Sequence, residues 1–143
     1  MSAVAVLAAD DQPFFLGVAR DVVRATPGFC WAGEAQSGED AIEAVVKLHP
    51  DLVLLDVRMP GIGGIEAARR IAGEHPDVVV VLITVDDRAG IERDVEASGA
   101  AELIGKQRFG PAMLRALWAR HGAGARARRP GRCPGSRCRP TRH

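Results

Sequence analysis

The chain has 143 residues and 47% hydrophobic composition, enough for one compact core and short for two ordinary domains. No apolar run approaches the ~18 residues that cross a bilayer, and the opening residues lack the basic start of a secretory signal, so a cytoplasmic protein with no membrane partner is expected. The net charge of +1 hides a division: residues 1–121 hold 12 Lys and Arg against 18 Asp and Glu, whereas residues 122–143 hold seven Arg and no acid.

Val4 to Ala9 reads as a short buried strand that ends in the acidic pair Asp10 and Asp11. Pro13 suits the opening turn of a helix, in which Phe15, Val18, Val22 and Val23 recur at helical spacing until Pro27 and Gly28 stop it. Phe29 to Ala35 is a second strand. Ser37, with Asp40 three residues on, resembles a capping box, and the apolar stripe Ala41, Ile42, Val45, Val46 and Leu48 makes a second helix behind it. His49-Pro50-Asp51 ends that helix, because a residue before proline is pushed out of the helical region.

Leu52 to Asp56 is a third strand, followed at once by the MPGIGG turn and a helix around Ile65 to Ala72. The same His-Pro-Asp punctuation returns at residues 75–77. Val78 to Ile83, the most hydrophobic run, ends in Thr84. A fourth helix spans roughly Ala89 to Ala97, and a weak fifth strand, about Ala101 to Gly105, leads to Lys106. Pro111 opens a last helix with Met113, Leu114, Leu117 and Trp118 on one face, ending near His121-Gly122. Strand and helix alternate five times, which predicts a parallel sheet covered by helices on both faces.

Asp10-Asp11, then Asp56 in DVRMPG, then Thr84, then Lys106, each at the end of an apolar run, resembles the receiver domain of two-component response regulators. The DDQPFF and LIGKQRFGP stretches are most similar to receivers of the LuxR-type helix-turn-helix class. The resemblance covers residues 2–121 and implies a doubly wound, flavodoxin-like α/β fold with strand order 2-1-3-4-5, a receiver domain over residues 1–121 and a separate tail over 122–143. That order sets the first and third strand ends side by side, so three carboxylates meet and must take up protons or bind a cation.

The resemblance further implies Mg²⁺ as cofactor, held by Asp11, Asp56 and the backbone carbonyl of Arg58, with Asp10 acting through water. Asp56 is then the phosphoacceptor for a sensor histidine kinase. Lys106 and Thr84 neutralise and bond the transferred oxygens, and Thr84 with Leu103 forms the switch. A homodimer or an output protein is expected at the face of helix 4, strand 5 and helix 5. Beyond self-catalysed phosphoacceptor and autodephosphorylation chemistry, no enzyme activity is expected.

Two positions depart from the family pattern: Gln107 stands where a proline usually follows the lysine, and Leu103 where Tyr or Phe is frequent. They give some footing to a rival, a phosphorylation-independent interaction module on the same fold. An aspartyl-phosphate phosphatase needs a second acid where Arg58 stands. A flavodoxin needs a phosphate loop where Asp10 and Asp11 would repel one. Arg58 and Asp86 are expected to border the site. The Arg-, Pro- and Gly-rich tail has no apolar periodicity for a DNA-reading helix, so disorder and no sequence-specific DNA binding are expected. Cys30, Cys133 and Cys138 make no disulfide framework.

Overall fold

The computed structural model describes residues 3–85 and 91–128. In chain order these form β1 (Val4–Ala9), α1 (Pro13–Ala25), β2 (Phe29–Ala35), α2 (Gly38–Leu48), β3 (Leu52–Asp56), α3 (Gly63–Glu74), β4 (Val79–Thr84), α4 (Glu92–Ser98), β5 (Glu102–Gly105) and α5 (Pro111–Arg128). A single 3₁₀ turn, Lys106–Arg108, joins β5 to the last helix. The strands form one sheet in the order β2-β1-β3-β4-β5, with every pairing parallel.

Alternation along the strands divides the core in two. Val4, Val6 and Ala8 of β1, with Leu52 and Leu54 of β3 and Val81 and Ile83 of β4, face α1 and α5. Leu7, Ala9, Val53, Leu55, Val80 and Leu82 face the helices on the other side, meeting Ala41, Val45, Ala67, Ala68, Ile71 and Val95. Each of the fully buried leucines contributes about 2 kcal/mol by leaving water, so the central strands are held from both faces.

Local chemistry sets the ends. Ser37 accepts a hydrogen bond from the Asp40 N–H at 3.1 Å, and this caps α2 as its sequence predicts. His49 closes the same helix in the left-handed region, at φ 48°. Asp51 then turns inward, fully buried, and its Oδ2 accepts the Ala5 N–H at 2.9 Å, which pins the start of β3 to β1. In the turn after β3, Gly61 and Gly63 both take positive φ, a conformation that side chains resist. Gly64 lies so close to the Asp56 carbonyl that a Cβ there would overlap it.

Two details differ from the sequence reading. The third helix begins two residues earlier than expected, at Gly63, directly after the turn. The last helix does not stop at His121-Gly122 but continues to Arg128. Gly122 and Ala125 are buried, and the Trp118 ring occupies the space a Cβ at 122 would need, so packing outweighs the weak helix propensity of glycine. Cys133, Cys138, Asp86 and the expected disorder of residues 129–143 lie outside the described residues.

Candidate functional site

Register delivers the site. Ala9 pairs with Leu55, so the residues that follow, Asp10 just beyond β1 and Asp56 at the end of β3, stand at the same level. Asp56 pairs with Ile83, and Thr84 with Gly105, which puts Thr84 and Lys106 beside them. Four positions that are distant in sequence therefore reach the carboxyl end of the sheet together, where the strand order reverses between β1 and β3.

Carboxylate oxygens of Asp10, Asp11 and Asp56 lie within 4.8 Å of one another. Asp10 is fully buried, Asp56 is 7% exposed and Asp11 faces water. Asp10 Oδ1 accepts the Gln12 N–H at 2.8 Å, which turns the chain into α1. Its Oδ2 accepts no well-aligned hydrogen bond, although the Lys106 ammonium stands 2.5 Å away. Lys106 Nζ is also 3.7 Å from Asp56 Oδ1. Burial raises the Asp56 carboxyl from its ordinary 3.8 to about 6; Asp10 and Asp11 push it up as well, and Lys106 pulls against them.

A cavity of about 730 Å³ opens above these groups, lined by Asp11, Asp56, Arg58, Thr84, Lys106 and Gln107 on its polar side. Thr84, the last residue of β4, is buried where it lines the cavity, while Arg58 is exposed. Leu103 is half-buried in β5, opposite Leu82, and packs on the α2–α3–α4 side of the sheet. Gln107 lies back over Gly105, whose missing Cβ leaves room for the amide. No peptide bond among the described residues is cis, in keeping with glutamine in place of proline.

The cavity has an apolar wall that sequence reading did not assign to the site: Phe14, Phe15, Val18 and Val85. Phe14 is 84% exposed. Phe15 carries the Lys106 ammonium over its ring, 4.7 Å from the centroid. Helical periodicity marks Phe15 as core, and it is half-buried against the core; nothing local in the sequence announces its cation partner.

The response regulator receiver domain family matches residues 6–117. Protein-glutamate methylesterase/protein-glutamine glutaminase 4 of Myxococcus xanthus is 41% identical over 96 residues, 67% of this chain and 26% of that protein. Response regulator GacA of Pseudomonas viridiflava is 38% identical over 104 residues, 72% of this chain and 48% of that protein. The chain thus spans between a quarter and a half of the length of these curated relatives. Among solved structures, the signal receiver domain of NarL from Mycobacterium tuberculosis superposes with a TM-score of 0.78 at 27% identity, covering 90% of this chain and all of that one.

One expectation is corrected by these likenesses. The sequence reading excluded an enzyme, yet receiver domains this similar are carried by methylesterase/glutaminase enzymes of several organisms, so the exclusion is withdrawn. No described helix is long and apolar enough to cross a membrane.

Proposed function

This chain belongs to the response regulator receiver domain family of two-component signalling, and on that premise we propose that Asp56 accepts a phosphoryl group from the phosphohistidine of a sensor histidine kinase. The observation that carries the reading is the convergence of Asp10, Asp11, Asp56, Thr84 and Lys106 at one end of the sheet. An Asp56 oxygen attacks phosphorus in line, the bond from phosphorus to imidazole nitrogen breaks, and the imidazole leaves with the electron pair. The product is a mixed anhydride on Asp56.

Mg²⁺ fits the residues present, because three carboxylates and a backbone carbonyl are hard oxygen donors and Asp10 Oδ2 is buried without an aligned hydrogen bond. Asp11, Asp56 and the Arg58 carbonyl are the proposed holders, with Asp10 acting through water. When bound, the ion supplies charge neutralisation at the transferred oxygens. Lys106, already beside Asp56, pairs with another of these oxygens, and the Thr84 hydroxyl donates to a third. Drawing Thr84 inward moves the chain after β4, and Leu103 in the next strand adjusts to it. The signal is read by a second copy or an output protein at the α4–β5–α5 face.

Incubation with acetyl phosphate and Mg²⁺, followed by intact mass, tests the reading. The expected result is one added phosphoryl group that is absent with Asp56→Asn and with EDTA. No gain in folded protein, where a known receiver is labelled, overturns it in favour of a phosphorylation-independent binding module.

A further inference from the structure

We propose that Phe15 is a positioning residue for Lys106, an uncharged anchor that keeps the ammonium at the mouth of the site while the carboxylates are engaged by a cation. The inference rests on the reading of Asp56 as phosphoacceptor. Among the described residues, three groups are placed around the ammonium: Asp10 at 2.5 Å, Asp56 at 3.7 Å and the Phe15 ring at 4.7 Å. Two of them are the acids proposed to face the metal. A dication among those acids cancels the charge that holds Lys106, and repels it besides. The attraction of an aromatic face for a cation has no such competitor, and it is strongest where water is excluded. The Lys106 side chain is only 12% exposed.

The ring is itself fixed. It packs on Phe109, with centroids 6.0 Å apart and planes at 56°. The Phe109 N–H donates to the Lys106 carbonyl at 3.1 Å, closing the 3₁₀ turn that carries the lysine. Phe15 stands in the first turn of α1, which starts at Pro13, two residues after Asp11. One ring thus ties the element that bears the acids to the turn that bears the ammonium. A lysine side chain is long and rotameric, so an anchor on its path shortens the search for the phosphoryl oxygen.

The test compares phosphorylation by acetyl phosphate with Mg²⁺ for the native chain, Phe15→Leu and Phe15→Tyr, each also with Lys106→Met. Phe15→Leu should slow labelling on the order of tenfold, the size of a desolvated ring–cation contact. Phe15→Tyr should recover most of the rate, and Phe15→Leu should add nothing to Lys106→Met. Equal slowing in both backgrounds, or none with Lys106 present, overturns the proposal. If the native chain takes up no phosphoryl group, the phosphoacceptor reading fails, and urea unfolding in Mg²⁺ still decides on the anchor. A midpoint shift from Phe15→Leu confined to the Lys106 background supports it, and equal shifts overturn it.

Discussion

The Lys106 ammonium lies closer to Asp10, at 2.5 Å, than to Asp56, at 3.7 Å. In the metal-free protein the lysine therefore serves as internal counter-ion to the buried acid. A divalent cation arriving at the three carboxylates must work against that charge. Lys106→Met should tighten Mg²⁺ binding roughly 3- to 10-fold, the effect of removing one positive charge a few Å away. Isothermal titration measures it; weaker binding would mean that the lysine instead holds the carboxylates in place for the ion.

The raised Asp56 carboxyl makes the metal-free protein sensitive to pH. Its folded value is about 6 against an ordinary 3.8, so between these values the folded state holds more protons than the unfolded chain. Stability from this group is fully present below about pH 3.8 and is lost as pH rises through 6. The loss amounts to about 1–3 kcal/mol after allowance for screening. Asp56→Asn should flatten that slope, stabilising the protein at pH 7.5 and changing little at pH 4. Urea midpoints without Mg²⁺ across this range provide the check, and parallel pH curves would refute it.

Two glycines of α3 should respond oppositely to alanine. At Gly64 a Cβ would strike the Asp56 carbonyl, and the Gly64 N–H donates to Val57 O at 3.0 Å, so little can shift. Gly64→Ala should cost about 2–4 kcal/mol. At Gly73 nothing lies within 4 Å of the added carbon, and Gly73→Ala should add about 0.5–1 kcal/mol. Equilibrium unfolding of both variants separates close approach from propensity.

At Gly122 propensity and packing compete directly. Alanine favours helix by about 1 kcal/mol, but its Cβ would meet the Trp118 ring. Gly122→Ala should be destabilising by about 1–2 kcal/mol in the native chain and stabilising in a Trp118→Ala background. A gain in both would show that the ring simply swings aside.

Much of the fold was readable because its signals are local. The β1, β2 and β3 limits coincide with apolar runs, and Ser37 caps α2 where spacing placed it. Asp10 and Asp56 were legible as strand ends, and their meeting followed from strand order. The end of α5 was not, since residues 122–128 are poor in apolar side chains and their helix is held by burial of Gly122 and Ala125. Nor was Phe15's contact with Lys106, which depends on how α1 and the turn after β5 converge; periodicity reports a buried face, not what touches it.

The level pairing of Ala9 with Leu55 has a consequence for biosynthesis. The acids at 10, 11 and 56 all leave the ribosome before Lys106, which follows all five strands. A nascent chain that docks β3 against β1 early gathers three like charges with no ammonium to face them. Until β5 and the turn after it emerge, protons and cations from solution are what relieve that repulsion.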